Sequence, residues 1–341
     1  MVQKYIAIMI ATLAPLHFQT WGNDAIAESR CLRNIRQITF PYMGFEKAGE
    51  SYFSPDKATL IFQAVPSGQK QYQIYTIDIA TGTTRLVSTG RGACTCASFS
   101  PDGTKLIFAS SHQAPDNDDQ KVPGYQRDAK SYSWEFTPHM NIYQANLDGS
   151  DLVALTQGCA YHAECAYSHD GSRIVFASNE TGSMNIYTMH ADGSDVTQIT
   201  HTTCGYNGGP FLSPDGNTIV YRADYEKKDY LQIYSIDIHG NNLKQLTHNN
   251  AVNWAPYWHP NGTVIAFTTS LHGHWRYELY LLNVKTGVEH RLTYNDTFDG
   301  LPSFSKDGTQ ITWTSKRGPD GTCQLFIADF IMPENLCKDA R

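Results

Sequence analysis

Ser213-Pro214-Asp215-Gly216-Asn217-Thr218-Ile219-Val220-Tyr221 joins a tight turn to an apolar run, and its reading decides the fold. Proline presets φ, aspartate bonds to nearby backbone and glycine accepts a positive φ, so the first four residues reverse the chain between antiparallel strands. The β-branched and aromatic residues that follow favour a strand. The signature recurs as Ser54-Pro55-Asp56, Ser100-Pro101-Asp102-Gly103, Ser168-His169-Asp170-Gly171, His259-Pro260-Asn261-Gly262 and Ser305-Lys306-Asp307-Gly308. Successive starts differ by 46, 68, 45, 46 and 46 residues. A repeat of this length is one supersecondary unit that buries its faces only against its neighbours.

Working outward, each turn is followed by a strand such as Leu106-Ile107-Phe108 or Ile265-Ala266-Phe267, and then by another marked Ile74-Tyr75, Ile142-Tyr143, Ile186-Tyr187, Ile233-Tyr234, Leu279-Tyr280 or Leu325-Phe326. Gly-containing hairpin turns such as Asp192-Gly193-Ser194 come next, and short strands ending Leu155-Thr156, Ile199-Thr200, Leu246-Thr247 or Leu292-Thr293 close the unit. Four short antiparallel strands per unit, six times over, predict an all-β, six-bladed β-propeller. No sustained helical periodicity survives the Gly and Asp punctuation. The sixth unit ends after its third strand, and Ile35-Arg36-Gln37-Ile38-Thr39 matches Val196-Thr197-Gln198-Ile199-Thr200. The N-terminal segment is therefore expected to pair with Leu325 to Phe330, closing the ring and removing an exposed edge. In that register Cys31 and Cys337 come near each other, and a disulfide between them is expected, worth about 3 kcal/mol or more for so long a loop.

Residues 1–27 read as an export leader: Lys4, the apolar stretch from Tyr5 to Leu16, and the small-x-small pattern Ala25-Ile26-Ala27. Residues 28–341 then form a single propeller in a periplasmic or secreted setting. The eight cysteines all lie beyond that junction, an even number that fits disulfides in an exported chain, with at least one bond expected among Cys94, Cys96, Cys159, Cys165 and Cys204. Cys94-Thr95-Cys96 has one residue between its thiols, against two to four in zinc knuckles, so no metal is expected there. A formal charge of −7, with acidic and basic residues interspersed, offers no basic stripe for phosphates and disfavours nucleic acid. No cofactor motif is present, and neither a G-x-S-x-G elbow nor an H-E-x-x-H helix occurs.

The candidate site is the funnel face, on which the loops preceding each first strand and joining second to third strands converge. The 68-residue spacing reflects an insertion in the second blade, residues 110–139, whose acidic half holds Asp116, Asp118 and Asp119 and whose aromatic half holds Tyr125, Tyr132, Trp134 and Phe136. A loop of that length is functional or disordered more often than idle, and its aromatic half is a candidate cover for the mouth. Glu50, Cys96, Glu164, Gly209, Ala255 and Leu301 fall at matching positions just ahead of the inner strands, with His162, Asn207, Trp254 and Asp299 close by. Carboxylates ringing a channel hold a cation or a basic group; alternatively they accept backbone N–H bonds from the next blade. Binding candidates are thus Glu50, Tyr125, Trp134, His162, Glu164, Asn207, Trp254 and Asp299, with no catalytic residue assigned. His272-Gly273-His274 places two imidazoles near each other without an evident third metal ligand.

The Ser-Pro-Asp-Gly turn, the Ile-Tyr third strand and the Leu-Thr close resemble the TolB-like propeller repeat over roughly residues 35–330. Tyr206-Asn207-Gly208-Gly209-Pro210-Phe211, Trp254-Ala255-Pro256-Tyr257-Trp258-His259-Pro260 and Phe298-Asp299-Gly300-Leu301-Pro302 look like the propeller found ahead of exported zinc-aminopeptidase domains, and also alone. His162 and Asn207 depart from that pattern, which usually has acidic residues there. The resemblance implies a protein-interaction or accessory role in the periplasm. TolB itself carries an extra N-terminal domain that is not seen here, so a direct TolB role is not expected. The expectation is a monomeric, non-catalytic binding or scaffold module for a protein, peptide or glycan. The alternatives are a carbohydrate-active lyase or glycosidase, with Glu164, Asp299, His162 and Trp254 as acid/base and stacking residues, and an accessory subunit of a peptidase.

Overall fold

The computed structural model describes residues 24–115 and 136–337, together with the backbone of 125–127 and 132–134. Six four-stranded antiparallel sheets follow one another along the chain. Their innermost strands are Phe45–Phe53, Cys94–Phe99, His162–Tyr167, Asn207–Leu212, Asn253–Trp258 and Asp299–Phe304. We number the blades 1 to 6 in that order.

The turn chemistry works as its residues dictate. The first serine donates its hydroxyl to the aspartate two residues on, at 2.5 Å in Ser54, Ser100 and Ser213, 2.6 Å in Ser168 and 2.7 Å in Ser305. Beyond the turn, the fourth residue of each second strand is an aromatic side chain with at most 1% exposure: Phe62, Phe108, Phe176, Tyr221, Phe267 and Trp313. Each lies opposite the aromatic residue of the Ile-Tyr motif or its equivalent, Tyr75, Tyr143, Tyr187, Tyr234, Tyr280 or Phe326. Ring centroids are 5.5 to 6.3 Å apart. Cross-strand aromatic pairs add about 0.2–1 kcal/mol each beyond the roughly 1.5–3 kcal/mol of burying a large apolar side chain. Repeated six times, this pair is a recurring part of a core otherwise built of aliphatic side chains.

The threonine of the Leu-Thr close has a specific task. Thr156, Thr200, Thr247 and Thr293 each accept, at 2.8–2.9 Å, from the backbone N–H of the second residue of the third strand, Ile142, Ile186, Ile233 or Leu279. Thr39 does the same for Leu325 at 2.9 Å in blade 6. The N-terminal strand thus completes the last sheet, in the register Leu32↔Phe330, Arg33↔Asp329, Arg36↔Ile327 and Gln37↔Phe326. Its regular part, Leu32–Gln37, starts three residues earlier than the sequence pattern placed it, and Ile38 continues the pairing through its bond to Leu325 O.

The expected Cys31–Cys337 disulfide is not formed, and no disulfide joins any of the eight cysteines. After Phe330 the chain bends at Pro333 into a short 3-10 turn, Glu334–Leu336. Leu336 plugs the core and its carbonyl accepts from Asn283 Nδ2 at 3.0 Å, which leaves Cys337 facing solvent. Cys31 points inward, 3.6 Å from His290 Nε2. Nor does a bond form among the cysteines of blades 2 to 4: Cys94 Sγ meets Ser110 Oγ at 3.1 Å, and Cys165 Sγ meets the Cys96 carbonyl at 3.4 Å.

Of the expected leader, residues 1–23 lie outside the described residues, while 24–29 form a short helix. Among the described residues no helix is long and apolar enough to cross a membrane. The insertion includes a two-stranded hairpin in which Tyr125 lies opposite Trp134. Its acidic half, Asp116 to Asp119, lies outside the described residues.

Candidate functional site

Glu50, Cys96, Glu164, Gly209, Ala255 and Leu301 do not precede the inner strands but lie within them. All six have positive φ, between 46° and 58°. Each sits where the pairing slips against the second strand. A β-bulge of this kind leaves a residue unpaired and re-aims it. Holding a non-glycine residue there costs about 1–3 kcal/mol, so five of the six blades carry strain at the same level of the channel.

The bulge N–H needs an acceptor, and the preceding blade supplies it where it has one. Glu50 N donates to Thr314 Oγ1 at 3.0 Å, Cys96 N to Gln63 Oε1 at 3.2 Å, and Leu301 N to Thr268 Oγ1 at 3.0 Å. These acceptors occupy the fifth position of a second strand, where blade 3 has Ala177. With no acceptor there, Gly209 N donates instead to the Glu164 carboxylate. That carboxylate also accepts from Tyr206 Oη at 2.7 and 2.9 Å and from Arg222 Nη2 at 3.2 Å. Arg222 stacks its guanidinium 5.4 Å from the Tyr206 ring and 5.9 Å from the Trp254 ring. A Cβ on Gly208 would strike Tyr206 and Glu164, and one on Gly209 would strike Arg222, so the cluster depends on this glycine pair. Phe136, at the end of the insertion, stacks on Tyr206 at 5.9 Å and an interplanar angle of 8°, and lies 5.2 Å from Tyr161.

Glu50, two blades from Glu164, is less provided for. Its side chain accepts from Tyr52 Oη at 3.2 Å, and it is in no ion pair among the described residues. Burial, and then the negative charge of Glu164, push its carboxyl up to about 7. Burial likewise raises the phenols of Tyr161 and Tyr206 and the thiol of Cys96, so these groups stay protonated. Two residues beyond the bulges, Tyr52, Phe211 and Tyr257 converge from blades 1, 4 and 5, with centroids 4.8 to 5.9 Å apart. Blades 1 and 4 face each other across the ring, so these aromatics bridge the channel. At the same level blades 2, 3 and 6 carry the small residues Ser98, Ala166 and Ser303.

A sequence profile described as the TolB beta propeller domain matches residues 122–251 and 224–332, more than half of the chain. This chain belongs to the TolB β-propeller family. Among solved structures, a putative TolB from Agrobacterium tumefaciens is similar over 84% of this chain and 91% of its own, at 19% identity and a TM-score of 0.59. TolB from Acinetobacter baumannii is similar over 83% of this chain and 63% of its own, at 18% identity and a TM-score of 0.58. An oligogalacturonate lyase from Vibrio parahaemolyticus is similar over 89% of this chain and 94% of its own, at 13% identity and a TM-score of 0.53. At such identities the likeness is one of fold.

Within this TolB-family propeller the candidates divide. Glu50 and Glu164 face the channel, and Trp254 packs at its wall between Arg222, Tyr277 and Phe298. Asn207 is wholly buried and ties blade 4 to blade 3, donating to Met184 O at 2.9 Å and Thr202 Oγ1 at 2.7 Å. His162 is buried edge-on against Phe176, and that burial lowers its pKa. Asp299 has no exposure; it accepts from Trp313 Nε1 at 3.0 Å and Arg317 Nη2 at 2.7 Å, and Arg317 Nη1 reaches Glu28 at 2.6 Å. The side chains of Tyr125 and Trp134 lie outside the described residues. His272 and His274 turn to different partners, Tyr280 Oη at 2.7 Å and Tyr277 Oη at 3.2 Å. No group of three His, Cys, Asp or Glu close enough to hold a metal ion occurs among the described residues.

Arg222 and Tyr206 were missed by sequence reasoning. A signal existed for the first: at the fifth position of the second strand the other blades have Gln63, Ala109, Ala177, Thr268 and Thr314, so a charged residue stands out in the aligned repeats.

Proposed function

We propose that this chain is an exported, non-catalytic binding propeller whose upper funnel takes a basic group of a protein or peptide partner. The observation that carries the reading is an imbalance. Two carboxylates, Glu50 and Glu164, face one guanidinium, and Arg222 is already committed to Glu164 and to two aromatic rings. A lysine, arginine or terminal ammonium docked beside Glu50 restores neutrality in a water-poor site, where a charge pair is stronger than at a surface. The aromatic bridge narrows the channel below Glu50, which favours entry of such a group from above. Membership of the TolB family, and the TolB names among its structural neighbours, support a role in protein interaction and a periplasmic setting.

A displayed peptide library selected on the wild-type protein tests this. Enriched peptides should carry Lys or Arg and bind Glu50→Gln at least tenfold more weakly, a loss of about 1.4 kcal/mol or more. Glu50→Gln is the cleaner variant, because Glu164 also caps Gly209 N. Equal binding by Glu50→Gln would reject the reading. Turnover of a polysaccharide such as oligogalacturonate, abolished in Glu164→Gln, would replace it with a carbohydrate-active enzyme. Recovery of a peptidase in stoichiometric amounts from the native envelope would make the partner a catalytic subunit.

A further inference from the structure

The opposite end of the channel holds a cavity of its own. Its volume is about 150 Å³. Its ceiling is the underside of the Tyr52–Phe211–Tyr257 bridge, and its rim is set by the six repeat turns. A volume of roughly 150 Å³ is enough for one benzene ring, and because the cavity is open at its mouth, a ring seated under the bridge keeps its polar end at the rim.

The rim gives the occupant its charge. The second residue of the repeat turn is proline in four blades, Pro55, Pro101, Pro214 and Pro260, but His169 in blade 3 and Lys306 in blade 6, which stand opposite each other in the ring. Lys306 reaches over the mouth to Pro101 O, 3.2 Å away in blade 2. Among the described residues no Asp or Glu lines the cavity. The turn carboxylates of Asp56, Asp102, Asp170, Asp215 and Asp307 are each bonded by the serine of their own turn, and Asp307 is also paired with Lys57 at 2.6 Å. Among the described residues the lining is thus aromatic and proline-rich, with Lys306 as its one formal charge.

We propose that this lower mouth binds a single planar apolar ring bearing a carboxylate, the ring under the aromatic bridge and the carboxylate at Lys306. A free aromatic acid and a peptide ending in phenylalanine present the same chemistry. Lys306 exchanges its bond to Pro101 O for the ligand carboxylate, and His169 faces the ligand from the other side.

Ligand-observed saturation-transfer NMR with 3-phenylpropionate, its amide, 2-phenylethylamine and a hexapeptide ending in Phe with a free carboxylate tests the site. The acid should bind saturably and better than the amide or the amine. Lys306→Gln should weaken it about fivefold, the size of a surface charge pair, and Ser98→Leu, which fills the cavity, should abolish it. Hexapeptide binding at least as tight as that of the acid identifies a chain terminus as the source; binding of the acid alone identifies a small molecule. Equal binding of acid and amide, no saturation up to about 10 mM, or an unaltered Ser98→Leu variant with a normal unfolding curve overturns the proposal.

Discussion

Arg317→Met is the most informative perturbation of the ring closure. Among the described residues Arg317 is the one cation paired with Asp299 and Glu28: its side chain is 11% exposed, that of Asp299 0% and that of Glu28 11%. Methionine keeps the length and apolar stem but removes bonds of 2.6 Å to Glu28 and 2.7 Å to Asp299. Glu28 lies on the N-terminal segment and can turn to water, so most of the cost falls on Asp299, which retains only the 3.0 Å bond from Trp313 Nε1. Stranding one member of a buried pair costs about 3–5 kcal/mol, a large part of the roughly 5–15 kcal/mol by which a domain is stable. Urea unfolding followed by near-UV circular dichroism should show the midpoint fall with little change in slope. The double variant Asp299→Asn/Arg317→Met should recover at least half of the loss, because the uncompensated charge is gone. A single-variant loss below about 1 kcal/mol, or strict additivity in the double variant, would refute the view of Asp299 as a closure residue rather than a ligand group.

Folding raises the Glu50 carboxyl from its ordinary 4.5 to about 7, so its contribution to stability is present in acid and is lost as pH rises through about 7. Glu278 is raised to about 7 as well, chiefly by burial, so Glu50→Gln should remove part, not all, of the fall in stability between pH 5 and 8; an unaltered fall would exclude Glu50 as a contributor. Deleting residues 24–37 should leave the Gln324–Phe330 edge unpaired and shift the protein to oligomers on size-exclusion chromatography, whereas a monodisperse monomer would contradict closure by this strand. In the native protein a thiol reagent should label Cys159, Cys204 and Cys337 before the other five, read by peptide mass mapping, and early labelling of Cys165 would contradict its placement in the core.

What was legible in advance was whatever repeats. Serine, proline, aspartate and glycine act on the two or three residues beside them, and a strand shows its faces with a period of two, so turn positions, strand motifs and blade number could be read from one chain. Thr39 was legible for the same reason, since it sits in its strand as Thr200 sits in its own. Two features were not local in this sense. Cys31 and Cys337 stand at the two ends of the closing pair of strands, yet the bend at Pro333 and the burial of Leu336 leave Cys337 exposed while Cys31 is buried. Glu164 and Asp299 looked alike as carboxylates near the channel, but the absence of an acceptor at Ala177 recruits one into the bulge of the next blade while Arg317 holds the other behind the strand. The sequence by itself therefore determined a six-unit ring and how it closes, because those depend on short-range backbone preferences repeated along the chain. Tertiary structure alone decided which charges face the channel, since that depends on side chains from different blades meeting at one axis.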